Sequence, residues 1–215
     1  MTNFEEIIRI PSPIGNLEAK FSKGNNSKKF GIIFCCPHPI YSGTMDMELI
    51  SIIMSPFIEA GYPTIRFNYR GKGNSDGQYG RGIGERMDVR TVCTHYLSTP
   101  NVPPKIVLMG YSFGAAIGSS IVSEFQDIIG YVAISYPFPI NPIYIKNASV
   151  SRPKLFLWGD ADKVISISAL ESAYADLQEP KEKKVFPGAR HSWKTFEENL
   201  ATFIFSWVKN LHFIK

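Results

Sequence analysis

Residues 107–116 read VLMGYSFGAA, an apolar stretch that runs into a serine between two glycines and then into small residues. The apolar part predicts a buried β-strand, and the small residues after Gly114 predict a helix that lies close to a sheet. Ser112 would then occupy the tight turn between strand and helix, where glycines allow a strained backbone that exposes a nucleophile. The alternative is a turn that needs glycine for its backbone alone, and the rest of the chain bears on that choice.

Strand-like and helix-like patterns alternate along the chain, which predicts a mostly parallel sheet covered by helices on both faces. We expect a three-layer α/β/α sandwich with eight strands, of which the first two pair as a hairpin. The predicted strands are, in order, FEEIIRI, NLEAKFS, FGIIFCC, PTIRFNY, KIVLMG, IIGYVAIS, KLFLWG and KKVFPG. No repeat or linker interrupts this pattern, so residues 1–215 are predicted to form a single domain.

Composition excludes several classes of function. The net charge of the 215 residues is only +4 and the basic residues are dispersed, so nucleic acid is not an expected partner. Three cysteines do not make a disulfide framework, and the acidic start MTNFEEIIRI does not resemble a signal peptide. No apolar run approaches the roughly 20 residues that span a bilayer. A cytoplasmic location and no membrane span are therefore expected.

Two other sequence features place an acid and a base on the same edge of the sheet as Ser112. Asp160 and Asp162 follow the strand KLFLWG, and His191 follows the strand KKVF. A serine becomes a good nucleophile when a histidine takes its proton and an acid orients that histidine. We predict Ser112, His191 and Asp162 as nucleophile, base and acid, with Asp160 stabilising its loop through backbone amides.

The loop CCPHPIYSG after the third strand is the predicted source of one oxyanion donor, the other being the backbone amide of Phe113. The prolines on either side of His38 carry no amide hydrogen. The amide of Ile40 is then the first expected donor after His38, with Tyr41 as second choice. The ring of His38 is expected to brace this loop rather than take part directly.

Aromatic residues on loops at the same edge are candidates for a substrate pocket, although core packing explains each of them equally well. They are Tyr41, Tyr79, Phe138 and Trp193, together with His38. Three charged residues, Arg70, Glu85 and Asp88, could form an ion-pair bracket around the loop after the fourth strand, or could simply be solvated.

No cofactor or metal is expected. The loop RGKGNSDG lacks the third glycine of a dinucleotide site, and the phosphate-loop pattern does not occur. Cys35, Cys36 and His38 have no second ligand group at a spacing that suits a metal.

In the order and spacing of these motifs the sequence resembles the α/β-hydrolase superfamily, over almost its whole length. The PHP turn, RFNYRGKGNSDG and GDAD resemble small lid-less serine hydrolases similar to dienelactone hydrolases. The resemblance implies the α/β-hydrolase fold and the roles given above for Ser112, Asp162 and His191. Dienelactone hydrolases carry a cysteine where this chain has Ser112. The segment YPFPINPIYIKNASVSRP is too short for a helical lid, so an open site without a lid domain is expected.

The expected activity is hydrolysis of a small-molecule carboxylic ester or thioester through an acyl-enzyme on Ser112. Because His191 must be neutral to accept a proton, activity should rise with pH through roughly 6 to 7.5. A catalytically silent binding module of the same fold is the main alternative, and a peptidase or carbon–carbon hydrolase with the same triad is another. The sequence leaves the acyl chain and the oligomeric state open.

Overall fold

One eight-stranded sheet organises the molecule, which a computed structural model describes over residues 4–25, 27–137 and 142–211. The strands are β1 (Glu6–Ser12), β2 (Gly15–Ser22), β3 (Gly31–Cys35), β4 (Thr64–Phe67), β5 (Ile106–Tyr111), β6 (Ile128–Ile134), β7 (Lys154–Gly159) and β8 (Lys181–Phe186). Their spatial order is β1-β2-β4-β3-β5-β6-β7-β8. Strand β2 pairs antiparallel with β1 and β4, and the other neighbours are parallel. The predicted sheet and its opening hairpin are confirmed.

Helices cover both faces of this sheet. They are α1 (Glu48–Glu59), α2 (Ile83–Ser98), α3 (Phe113–Ser119), α4 (Pro142–Asn147), α5 (Ile167–Ala175) and α6 (Glu197–Lys209), with short 3-10 turns at Pro39–Tyr41 and Val122–Glu124. Helix α1 packs against α6, whereas α3 contacts both α2 and α4. The predicted three-layer arrangement is therefore confirmed.

Burial follows the sequence pattern. Every residue of β3 and β5 is buried, as expected for central strands with a helix layer on each side. In α6 the buried residues are Leu200, Ala201, Ile204 and Val208, whose three-to-four-residue spacing forms one apolar stripe. The central strands therefore form a rigid platform, and their carboxyl ends support the loops of the candidate site.

The connection between β6 and β7 is the segment that the sequence predicts to be too short for a helical lid. Its described part contains one short helix, α4, and residues 138–141 lie outside the described residues. Across the described ranges, no helix combines the length and apolar character needed to cross a membrane.

Candidate active site

The turn between β5 and α3 holds Ser112 in a strained backbone conformation with a positive φ of 52° and a ψ of −120°. The amide of Ser112 donates a hydrogen bond of 2.8 Å to the carbonyl of Ile134 in β6. A side chain at Gly110 would overlap the main chain of Gly114, and one at Gly114 would overlap the carbonyl of Cys35. The glycines are thus required because the turn, the helix and β3 approach one another closely.

Three side chains predicted from separate parts of the chain meet at this turn. Nε2 of His191, which follows β8, lies 3.0 Å from Oγ of Ser112. Nδ1 of the same ring lies 2.8 Å from Oδ2 of Asp162, which follows β7. The imidazole therefore links the serine hydroxyl to the carboxylate in one line of hydrogen bonds.

The carboxyl group of Asp162 is buried and fully bonded. Its Oδ1 accepts hydrogen bonds from the amides of Val164, at 2.8 Å, and Ile165, at 3.1 Å. Burial raises the pKa of Asp162, but the hydrogen bond with His191 and the two amides outweigh it and hold that pKa below its ordinary value. An ionised Asp162 accepts a hydrogen bond from the Nδ1–H group of the imidazole, and Nε2 of that tautomer can accept a hydrogen bond from Ser112.

Two contacts stabilise the loops that carry these side chains. Oδ1 of Asp160 accepts a hydrogen bond of 2.7 Å from the amide of Gly188. Asp160 therefore binds a backbone amide, as predicted, but this amide belongs to the loop after β8 and the bond joins the two loops. The hydroxyl of Tyr111 donates to the carbonyl of His191 at 2.6 Å. No role for Tyr111 was expected from the sequence. Its place beside Ser112, at the end of a buried strand where a phenol needs a partner, was the available signal.

The structure corrects the expected oxyanion donor in the turn after β3. The amide of Ile40 donates to Nδ1 of His38 at 3.3 Å, and the amide of Tyr41 donates to the carbonyl of His38 at 3.1 Å. Both expected donors are thus used inside the turn, the first by the capping side chain of His38 and the second by its main-chain carbonyl. The amides of His38 and Phe113 have no acceptor within the described part of the chain.

The ring of His38 braces this turn, as expected. Since Nδ1 accepts from Ile40, a neutral ring carries its proton on Nε2, which lies 3.0 Å from the hydroxyl of Tyr79. The ring also stacks at a tilt on Phe113, with 4.5 Å between centroids. Burial lowers the pKa of His38, and the negative charge of Glu85 opposes that shift only in part. Burial therefore favours the neutral form that caps the turn.

A cleft of about 500 Å³ opens above Ser112. It is lined by Pro37, His38, Tyr41, Met47, Tyr111, Ser112, Pro137, Val164, Ile165 and His191. Of the predicted pocket residues, His38 and Tyr41 line this cleft, whereas Tyr79 contacts His38 without lining it. Trp193 does not line the cleft, and core packing, the alternative left open for it, is what the structure shows: the side chain is fully buried, and its indole N–H donates to Ser135 at 3.0 Å. Phe138 lies outside the described residues.

The proposed ion-pair bracket exists in part. The guanidinium of Arg70 binds the buried carboxylate of Asp88, with 2.7 Å between Nη2 and Oδ1. Glu85 instead accepts hydrogen bonds from the amides of Gly80, at 2.7 Å, and Gly82, at 2.6 Å. These two carboxylates therefore fix both ends of the loop that contains Tyr79.

Comparisons with known proteins identify the family of the chain. The model of the dienelactone hydrolase family matches residues 84–207, which is more than half of the chain. The uncharacterized protein RP471 of Rickettsia prowazekii (strain Madrid E) is 27% identical over 192 residues, which cover 85% of this chain and 79% of that protein.

Solved structures show the same fold. An α/β serine hydrolase homologue from Coxiella burnetii is 28% identical, with a TM-score of 0.83 over 99% of both chains. XC6422 from Xanthomonas campestris, described as a serine hydrolase without a lid, is 21% identical, with a TM-score of 0.84 over 96% of this chain and 94% of its own.

Proposed function

The chain belongs to the dienelactone hydrolase family, and we propose that it is a serine hydrolase that cleaves a carboxylic ester or thioester through an acyl-enzyme on Ser112. The observation that supports this most directly is the His191 ring, whose nitrogens lie 3.0 Å from Ser112 Oγ and 2.8 Å from Asp162 Oδ2. A serine, a neutral imidazole and an ionised carboxylate in this order form an activated nucleophile.

In the first half of the reaction, Oγ of Ser112 attacks the carbonyl carbon of the substrate and its proton passes to Nε2 of His191. The carbonyl oxygen becomes an oxyanion, for which the unbonded amides of Phe113 and His38 are the proposed donors. When the carbon–oxygen or carbon–sulfur bond breaks, His191 returns the proton to the leaving alkoxide or thiolate. An alcohol or thiol departs, and the acyl group stays on Ser112.

In the second half, water attacks the acyl carbon and gives a proton to Nε2 of His191. The ester bond to Ser112 then breaks, and the serine oxygen recovers that proton as the carboxylic acid leaves. Throughout both halves Asp162 stays ionised, because its hydrogen bonds hold its pKa low, and it stabilises the imidazolium that forms twice per turnover.

Labelling with a fluorophosphonate probe tests the proposal. We expect the native protein to label, and Ser112→Ala and His191→Ala to lose labelling. Ser98→Ala and His95→Ala are matched controls, because both residues lie at the end of α2, and these variants should label like the native chain. A folded native protein that fails to label would favour a binding module without turnover. Labelling that survives in Ser112→Ala would place the reactive serine elsewhere.

A further inference from the structure

We infer that the substrate is an uncharged ester or thioester with an apolar acyl chain, and that the cleft discriminates against acyl groups that carry a negative charge. This inference rests on the proposed function. After the leaving group departs, the acyl chain is covalently attached to Ser112, so it must occupy the cleft that Ser112 lines. The composition of that cleft therefore determines which acyl groups the protein accepts.

Apart from the two amides proposed to hold the oxyanion, the cleft offers a carboxylate on the acyl chain no cationic partner. No Lys, Arg, Asp or Glu occurs among its described lining residues, and the two histidines that line it are already engaged with other groups. The buried carboxylate of Asp162 lies directly behind the His191 ring and repels a second negative charge. A carboxylate in this cleft would lose water without gaining a cation, which is unfavourable.

One wall of the cleft presents an apolar side chain from a rigid turn. The carbonyl of His38 accepts hydrogen bonds from the amides of Tyr41, at 3.1 Å, and Gly43, at 3.0 Å. Tyr41 lines the cleft and is nevertheless 81% exposed. A hydrogen-bonded turn that holds a large aromatic side chain at the open face of the cleft fits the binding of an apolar ligand.

A second part of the lining is also apolar, and a different turn holds it. The amide of Val164 donates to Asp162 at 2.8 Å, so the turn that binds the acid also fixes the position of Val164. The side chain of Val164 is 68% exposed and lines the cleft beside Ile165. Apolar groups from two separate turns thus line the cleft with Ser112, and the hydrogen bonds within each turn hold them in place.

Two esters of equal acyl length test the inference. We expect kcat/KM for p-nitrophenyl pentanoate to exceed that for the p-nitrophenyl monoester of glutaric acid by about 30-fold or more, after correction for their rates with hydroxide. In the neutral series from acetate upward, kcat/KM should rise up to about fourfold per added CH₂ until the cleft is filled. Equal rates for the two C5 esters, or a flat neutral series, would overturn the inference.

A positive charge introduced into the lining of the cleft can be compared with the same charge placed outside it. Val164→Lys should raise the glutarate-to-pentanoate ratio by about fivefold, because it supplies an exposed cation at contact distance. Ile83→Lys adds the same charge at a site that is 72% exposed and does not line the cleft, and it should leave the ratio unchanged. If both variants shift the ratio equally, the discrimination does not come from the cleft and the inference is wrong.

The proposed function and this inference fail in distinguishable ways. A native protein that neither labels with the fluorophosphonate nor hydrolyses p-nitrophenyl acetate would refute both. A protein that labels and hydrolyses acetate, yet accepts the anionic ester as well as the neutral one, would refute the inference alone.

Discussion

The hydroxyl of Tyr111 donates a hydrogen bond of 2.6 Å to the main-chain carbonyl of His191, so the residue before Ser112 holds the loop that carries the imidazole. The two rings also lie 5.5 Å apart between centroids. Because Tyr111 ends β5 and His191 follows β8, this bond joins the central strand to the edge of the sheet. It sets the position of Nε2 relative to Oγ across two independent loops.

We expect Tyr111→Phe to lower kcat about tenfold with little change in KM, because proton transfer requires a well-placed imidazole. Losing a buried hydrogen bond should also lower the free energy of unfolding by about 1 kcal/mol. Tyr96→Phe is the control, since it removes a comparable bond to the carbonyl of Pro103, remote from the site. Urea unfolding and ester kinetics separate the two effects. Equal loss of kcat in both variants would contradict a positioning role.

Asp162→Asn should reduce kcat by roughly 10³-fold or more, because an amide does not stabilise the imidazolium or select the same tautomer. The folded-state pKa of Asp162 is held below its unfolded value of about 3.9, so the ionised form stabilises the native protein above that pH. That contribution is lost as pH falls through the lower, folded value. The part of the difference in unfolding free energy between the native and Asp162→Asn proteins that comes from Asp162 should therefore shrink as pH falls below 4. A difference that grew on acidification would show that Asp162 is not preferentially ionised in the fold.

His38→Ala should lower kcat about tenfold, since it removes the cap that orders the turn whose amide is a proposed oxyanion donor. His38→Asn is the matched variant, because an asparagine side chain can also accept from the amide of Ile40, and it should retain more of the activity. Comparable losses in the two variants would show that capping is not the role of this side chain.

We also expect His38 to make the free energy of unfolding depend on pH. The folded-state pKa of His38 is lowered by burial, so the neutral ring stabilises the fold above its unfolded pKa of about 6.5 and this contribution is lost as pH falls through the folded value. Between pH 7 and 5 the native protein should lose stability relative to His38→Asn. The free energy of unfolding is measured by urea titration at several pH values. A difference between the two proteins that stays constant from pH 7 to 5 would contradict this prediction.

Arg70→Met should lower the free energy of unfolding by about 3 kcal/mol, because it leaves the carboxylate of Asp88 buried without its partner. Burial already raises the pKa of Asp88 despite the adjacent guanidinium. Replacing both residues, as Arg70→Met with Asp88→Leu, should recover at least half of that loss. Denaturant titration of the single and double variants measures these changes in the free energy of unfolding. If the losses of the two single variants simply add in the double variant, the pair is not the desolvated ion pair described here.

The order of the structural elements and the residues of the candidate triad could be predicted from the sequence by itself. Strands such as KIVLMG are buried on both faces, so their apolar runs identify them without tertiary information. Parallel strands place their carboxyl ends at one edge, so the residues after β5, β7 and β8 had to lie near one another. Ser112, Asp162 and His191 could be named for that reason.

Contacts between side chains and backbone, by contrast, were decided only by the tertiary structure. Ile40 was expected to donate its amide to a substrate, but that amide donates to the ring of His38. No local sequence pattern determines the orientation of such a ring. Trp193 follows His191 by two residues, yet its indole is buried against Ser135 and does not line the cleft. The hydrogen bond from Tyr111 to His191 likewise joins residues 80 positions apart in the sequence. Periodicity records which residues are buried, whereas the pairing of polar atoms depends on the distances that folding sets between separate loops.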